Sequence, residues 1–554
     1  MANTPEPLVE LPDEASADLT AKEIADLEKY GTRRPIAKGD YLYRAGDTTY
    51  DFYVVISGLI DVVIGEGEDE QVLVRHGPGR FLGELNLLTG MRVFVSTRVV
   101  EPGEVLAVPR DSLRRVIATV PELGDKILAA LVSRRSVLLT GAASTIRVVG
   151  SQYSPESLRL REYLARLRIP HEWLDPDQDA GIDALLEQAA VEPDELPVVI
   201  TTTTVLRRAT PGELAVYLGL TVDSLPEQVF DLVVVGGGPA GLATAVYGAS
   251  EGLATLGVDM ESVGGQAGSS SRIENYLGFP LGISGSDLAQ RAVVQAEKFG
   301  ANLTTPCEAT SLREDGGYMI MKLSDGSEVT GRAIVVATGA SYRRLPIPGL
   351  ERFEGNGVYY AATETEAKQC AASPVVVAGG GNSAGQAAIF LSQSGSPVTV
   401  VIRGDDLGAH MSRYLTDRID AHPGIEVRTK TRITGLDGDK TLRSVHLEGP
   451  DGEIDLPCAG LFSFIGADPA SGWISGCAAL DDHGFVLTDR QLEDEDLGET
   501  WELLGRLPLP YETNRPGLFA VGDVRSGSVK RVAAAVGEGS ACVSSIHQFL
   551  TFSQ

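Results

Sequence analysis

Apolar positions follow three different rhythms along this chain. From Arg34 to about Val108, short apolar runs alternate with glycine turns roughly every ten residues: IAKGDYLYRAGD, DFYVVISGLIDVVIG, QVLVRHGPGRFLGEL and VSTRVVEPGEVLAV. Strands this short predict an all-β roll or barrel. From Asp111 to about Leu139 the spacing becomes helical, with Leu113, Val116, Ile117 and Val120 and on through Leu131, so helices close this first unit. Leu19 to Tyr30 predicts a further short helix. Ile146 to Leu220 reads as a small α/β unit in the order strand (IRVVG), helix (ESLRLREYLARLRI), strand (HEWLD), helix near Ile182 to Ala190, strand (LPVVITT) and helix (PGELAVYLGL). At Phe230 glycine and valine become dense, and a strand, a glycine turn and a helix follow one another from Asp231 and again from Pro374. Two such patterns about 140 residues apart predict two nucleotide-binding domains rather than a short-period repeat.

The predicted organisation is a disordered acidic tail (1–18), a β-roll (19–142), a small α/β domain (143–222) and a dinucleotide domain in two pieces (223–343 and 467–554). A second dinucleotide domain (344–466) interrupts the pieces. The fold class is multidomain: a β-roll with helices and a small α/β unit, whose element order resembles the thioredoxin fold, ahead of two Rossmann-like domains. The acid run Leu492 to Glu502 reads as a solvated surface insertion.

Composition narrows the function. The 554 residues carry a formal charge of −29, which excludes a general nucleic-acid or anionic-membrane binder. Hydrophobic residues at 43% and charged residues at 22% fit a globular chain rather than a disordered one. The five cysteines (Cys307, Cys370, Cys458, Cys477, Cys542) include no CxxC, so sequence neighbours build neither a zinc ribbon nor a redox dithiol, and no metal site is expected. The first residues lack the basic and apolar stretches of a signal peptide, and no uncharged apolar run reaches 18 residues. A cytoplasmic location is the expectation.

The first glycine loop, DLVVVGGGPAGLATAVYGASEGLATLGVD, places Gly236, Gly238 and Gly241 at GxGxxG spacing, with Pro239 and Ala240 between. The first glycine permits a tight turn, the second lets backbone N–H groups approach a pyrophosphate, and the third lets the helix pack on the strand. Asp259 ends the next apolar run, where a carboxylate accepts from ribose hydroxyls. The second loop, SPVVVAGGGNSAGQAAIFLSQSGSPVTVVIRGDD, repeats the logic with Gly379, Gly381, Asn382, Ser383 and Ala384. Arg403 stands where Asp259 stands in the first copy. An arginine there pairs with a 2′-phosphate, so the spacing favours NADPH and leaves NADH open.

From about Gln228 to the C-terminus the chain resembles the low-molecular-weight thioredoxin reductases. GGQ (Gly264 to Gln266), RIENYLGFP (Arg272 to Pro280, with Asn275), AIVVATGA (Ala333 to Ala340, with Thr338 and Gly339) and GLFAVGD (Gly517 to Asp523) followed by KRVAAAVGEG look like that family's FAD segments. The resemblance implies FAD held by Gly265, Gln266, Asn275, Thr338, Gly339, Gly522, Asp523, Arg531, Val532 and Ala533. It also implies an inserted nicotinamide domain, a swivel between domains and a homodimer. The departure lies where the family has its CxxC: aligned on GV and GGG with one inserted residue, Ala361, Ala362, Thr363 and Glu364 occupy those positions. Neither alanine nor glutamate forms a thiolate. The family's NADP-fixing run is also reduced, here to IRGDDLG with one arginine.

Residues 146 to 220 resemble a glutaredoxin, with Pro197 as its cis-proline and Ser154-Pro155-Glu156-Ser157 in place of CPxC. Serines do no disulfide exchange, so a spacer or docking role is favoured. Residues 20 to 140 resemble a cyclic-nucleotide-binding domain, with GRFLGELNLLTG as the phosphate cassette. The resemblance implies Gly83 amides on the phosphate, Glu84 on the ribose and an arginine about ten residues after Gly83. That position is Val93, with Arg92 beside it. Cyclic-nucleotide binding and a structural role both stay open. The expected activity is transfer of a hydride from NADPH to FAD and onward to an unidentified small-molecule or protein acceptor. The alternatives are a ligand-sensing flavoprotein scaffold and a thioredoxin reductase using distant cysteines.

Overall fold

The computed structural model describes residues 12, 14–65, 70–83, 87, 92–140, 146–151, 154–167, 169, 171–178, 182–201, 204–218, 228–270, 272–362, 364–370, 372–409, 411–439 and 441–552. Two compact units emerge. One holds residues 1–228, 248–262 and 293–308; the other holds 229–247, 263–292 and 309–554.

In the first unit, the short runs between Arg34 and Val108 form one antiparallel sheet. Thr32–Ile36 pairs with Ser96–Val108, which pairs with Phe52–Ile64, which in turn pairs with Gln71–His76 and Phe81–Leu82. Helices Arg110–Thr119 and Pro121–Thr140 close it. Phe52, Phe81, Leu106 and Leu113 fill the core. The helix expected after Leu19 is Ala21–Leu27, opened by a capping box between Thr20 and Glu23 that satisfies two N-terminal amide donors.

The expected disordered tail is corrected at its end. Ala15 is fully buried, its carbonyl accepts from Arg134 Nε at 2.8 Å, and Asp18 pairs with Arg80. Residues 1–11 and 13 lie outside the described residues.

The small α/β unit centres on Arg147–Val149, parallel to Glu172–Leu174 and antiparallel to Val198–Ile200, which pairs with Val205–Leu206. Helices Pro155–Arg166, Ile182–Gln188 and Pro211–Leu218 accompany it. The Leu196–Pro197 bond is cis.

In the second unit, Val229–Val235 runs parallel to Glu328–Val336, and Leu518–Ala520 runs parallel along the other edge of Glu328–Val336. Leu232 to Val235 are buried without alternation, as parallel strands covered on both faces must be. A second parallel sheet runs Val358–Tyr359, Gly460–Ser463, Val375–Ala378, Val398–Val401, Ile425–Arg428. Helix Asn382–Gln393 follows its Val375–Ala378 strand. The acid run is only in part a solvated insertion. Glu499–Leu504 is helical, Trp501 is 4% exposed, and its Nε1 donates to Asn514 O. An indole needs both an apolar seat and one acceptor, and the charge count of the run hides that anchor.

Candidate functional site

The first glycine turn is built by backbone crowding. Gly236 follows the Val229–Val235 strand with φ +113°, and a Cβ there would stand 2.2 Å from Ala337 O. A Cβ on Gly241 would stand 1.8 Å from Gly236 O. Around Gly238 the space is open: its nearest such neighbour is Gly265 Cα at 3.9 Å. Helix Pro239–Ser250 starts beside that opening, its unpaired amides and dipole facing it. Ala240 is buried, and Gly522 and Gly539 both pack on it, where a Cβ would stand 2.8 Å from Ala240 Cβ and 2.2 Å from Ala240 O respectively.

The other residues expected around this loop fall as follows. Gly264 N donates to Gly237 O at 2.7 Å, and Gly265 (φ +53°) brings its backbone to Gly238. Gln266 Nε2 donates to Ala340 O. Thr338 Oγ1 donates to Ala470 O at 2.7 Å, and Gly339 O accepts from Ala470 N. Asn275 is exposed, and Arg531, Val532 and Ala533 lead into helix Val532–Phe552. Burial raises the Asp523 carboxyl above its ordinary range, Lys530 opposes the shift, and Lys530 Nζ donates to Asp523 O. In the first unit, Asp259 follows strand Thr255–Val258, and its Oδ1 accepts from the amides of Glu261 and Ser262 at 2.9 Å.

Sequence reading missed Glu538. Its carboxylate accepts from Gly522 N at 2.7 Å and from both Arg525 Nε and Nη2, fixing the turn that carries Asp523. Its signal was available: an acid between two glycines in a buried helix stretch has to be satisfied by something nearby.

The second turn repeats the first. Gly379 (φ +133°) would place a Cβ 2.2 Å from Phe464 O, whereas Gly381 has open space and caps helix Asn382–Gln393. Ser383 lies in the first turn of this helix, and Ala384 is fully buried. Asn382 Oδ1 accepts from Ser412 N at 2.7 Å, so this side chain braces the loop. Arg403 is exposed just past Val398–Val401 and makes no ion pair among the described residues.

At the expected dithiol positions Ala361 is half-buried, Ala362 is buried, Thr363 lies outside the described residues, and Glu364 opens helix Glu364–Cys370. None of the five cysteines forms a disulfide. Burial pushes the Cys370 thiol up to about 11 and Cys458 up to about 12, and holds Cys542 well above the ordinary thiol value. These three are protonated near neutral pH and poor nucleophiles.

In the roll, Gly83 O accepts from Arg134 Nη1 at 3.0 Å. Glu84 lies outside the described residues. Arg92 Nη1 donates to Gly46 O at 2.9 Å, its amide donates to Leu218 O, and its guanidinium lies 5.1 Å over the Tyr217 ring. Phe94 is buried in the apolar core of the small α/β domain with Ile146, Leu160 and Leu214. Arg92, beside the position expected to supply a phosphate cation, and Phe94 thus join the roll to the small α/β domain. Among the described residues no helix is long and apolar enough to cross a membrane, and no group of three acids, histidines or cysteines suits a metal.

Residues 33–120 match the cyclic nucleotide-binding domain family. A thioredoxin reductase of Penicillium chrysogenum is 32% identical over 335 residues, covering 57% of this chain and 93% of that protein. A "34.2 kDa protein in rubredoxin operon" of Clostridium pasteurianum is 30% identical over 315 residues, covering 56% of this chain and 94% of that protein. The crystal structure of Lactococcus lactis thioredoxin reductase superposes with a TM-score of 0.52 at 28% identity, covering 58% of this chain and 99% of that one. Residues 230–539, which contain both glycine turns, match the pyridine nucleotide-disulphide oxidoreductase family, and the chain belongs to that family as an FAD-dependent NAD(P)H oxidoreductase.

Proposed function

We propose that this chain oxidises NADPH through FAD and delivers the electrons to an acceptor other than a dithiol in its own sequence. The reading rests on the paired glycine turns. At each, one glycine is locked against backbone carbonyl while the next leaves room for a diphosphate. The first turn, with Gly236, Gly238 and Gly241, fits FAD's pyrophosphate, and Gly522 and Asp523 supply a second edge held by Glu538. Asp259 is the ribose acceptor, and Gly265, Gln266, Asn275, Thr338 and Gly339 belong to the flavin side. The second turn, with Gly379, Gly381, Asn382, Ser383 and Ala384, fits the nicotinamide coenzyme, with exposed Arg403 available to a 2′-phosphate. When bound, the two cofactors supply the redox step, a hydride passing from nicotinamide C4 to flavin N5.

Reducing FAD-loaded protein anaerobically with excess NADPH should bleach the flavin absorbance, and NADH should do so more slowly. Failure to bleach with either coenzyme would overturn the proposal.

The absent CxxC supports an acceptor of a different kind, such as a quinone, oxygen or a carrier protein. Cys370→Ser should leave NADPH oxidation unchanged, and a thioredoxin-coupled disulfide assay should stay at background with both proteins. Coupled turnover that Cys370→Ser abolishes would reinstate a thiol relay.

The strand order supports a glutaredoxin-like reading of the small domain. Its serines do structural work: Ser154 Oγ caps a helix by accepting from Ser157 N, and Ser157 is fully buried. We read this domain as a spacer or docking module and the roll as a ligand-binding-like module that modulates the flavoprotein. The roll's family match supports a cyclic-nucleotide ligand, which would share Arg92 with Gly46 O and the Tyr217 ring. A homodimer by family analogy and a cytoplasmic location complete the proposal.

A further inference from the structure

One loop of the second unit holds apolar side chains outward while its charged anchor is fixed inward. Helix Glu499–Leu504 ends at Gly505, whose left-handed φ of +60° turns the chain and whose amide donates to Glu502 O and Trp501 O. The next residue, Arg506, points inward: its Nη1 and Nη2 donate to the two carboxylate oxygens of fully buried Glu512 at 2.7 and 2.9 Å. Glu512 also accepts from Leu509 N at 2.8 Å and from Gly517 N at 2.9 Å. The Arg506 guanidinium lies 5.0 Å from the Trp501 ring and 5.6 Å from the Phe552 ring. Around this buried knot Leu503 is 89% exposed, Leu507 77% and Phe552 63%, with Leu504 exposed beside them.

Single leucines scattered over a surface need no explanation, but leucines and a phenylalanine gathered about one anchor mark a contact site. A buried charge pair contributes little net stability over apolar packing, and what it does fix here is the geometry of the loop. The setting gives the contact its sign. Between Gln491 and Asn514, Arg506 is the one cation against seven acids. Glu512 neutralises Arg506, so no cation of the segment balances the other six. Of these, Glu499 and Glu502 are exposed on the same helix as Leu503. A second copy of the chain would bring like charges together on this face, which opposes pairing.

We propose that Leu503, Leu504, Leu507 and Phe552 form the docking surface for a basic protein, one that presents an apolar contact framed by lysine or arginine. Apolar burial holds the centre of such an interface, and the acids on its rim steer a cationic partner and reject an anionic one. The surface uses no residue of the two glycine turns, so the proposal stands whether or not the flavin reading does.

The test uses the full-length protein and a fluorescein-labelled synthetic helix with leucine on one face and lysine on the other, read by fluorescence anisotropy. The same helix with glutamate for lysine is the anionic probe. The lysine helix should bind and the glutamate helix should not, and added salt should weaken the binding. Leu503→Ser combined with Leu507→Ser should weaken it about tenfold, at an unchanged melting temperature because both side chains already face solvent. Tyr318→Ser, at an exposed tyrosine of strand Tyr318–Leu323, should bind as wild type does. Glu499→Gln combined with Glu502→Gln should weaken binding and flatten its salt dependence. Wild-type affinity in the double serine variant would overturn the proposal, since the formal charge of −29 would then hold the lysine helix by itself. Equal binding of the glutamate helix would overturn it too. So would a fall in sedimentation mass in the double serine variant, which would show that a second copy covers the patch.

Discussion

Gly241→Ala is expected to yield protein that purifies without flavin. The added methyl would stand 1.8 Å from Gly236 O and 3.3 Å from Ala337 Cβ. The nearest atom is backbone, which cannot rotate aside as a side chain could. Either helix Pro239–Ser250 moves off the strand or the Gly236 turn opens, and both remove the amides that would face a diphosphate. Gly236 cannot compensate, because its own φ of +113° and its approach to Ala337 O already fix the turn. Gly537→Ala is the control. It lies in helix Val532–Phe552, nothing stands within 4 Å of its Cβ position, and alanine gains about 0.8–1.0 kcal/mol of helix propensity over glycine. The ratio of visible flavin absorbance to that of the protein should therefore collapse in Gly241→Ala and stay at the wild-type value in Gly537→Ala. Full flavin content in Gly241→Ala would mean that the turn is not the cradle.

The second large effect is a pH-dependent gain in stability from Glu297→Gln. Burial raises the Glu297 carboxyl from 4.5 to about 7, and Arg114 and Arg110 only partly offset it. Its Oε2 has no hydrogen-bond partner among the described residues. Lys298, the next residue, is already paired with Asp125. Because the folded chain holds this proton more tightly than the unfolded chain, the carboxyl favours folding at low pH. That advantage is complete below 4.5 and is lost as pH rises through about 7. Glutamine keeps the neutral shape at every pH. The variant should match wild type below 4.5 and exceed it by about 3 kcal/mol near pH 8. Between pH 5.5 and 8, above the sequence pI of 4.7, the difference should widen by about 2 kcal/mol. Chemical denaturation of both proteins across that range measures it. Parallel curves would mean that the carboxyl is not held neutral by burial.

Much of the site was legible because its requirements are local. A turn that must place backbone within van der Waals reach of a neighbouring carbonyl admits only glycine, so Gly236, Gly241 and Gly379 announced themselves by spacing and by the valine-rich strands before them. The capping box at Thr20, the helical run after Asp111 and the parallel strands were equally readable, since each depends on residues a few positions apart. The same kind of reading failed at Trp501, where eleven residues rich in acid concealed one anchored indole. It also failed at Ala15, whose carbonyl partner Arg134 lies far along the chain.

The amino-acid order alone determined that two dinucleotide turns exist, that no CxxC lies before the second, and that a β-roll and a small α/β domain precede them. Those are properties of short segments, set by sterics and by residue chemistry. Only tertiary packing decided what Phe94, Arg92, Glu538 and Glu297 do. Phe94 enters another domain's core, Arg92 is engaged by Gly46 and Tyr217, Glu538 clamps Gly522, and Glu297 is buried against two arginines. Burial and charge environment belong to the folded chain's long-range contacts, so no local pattern could carry them.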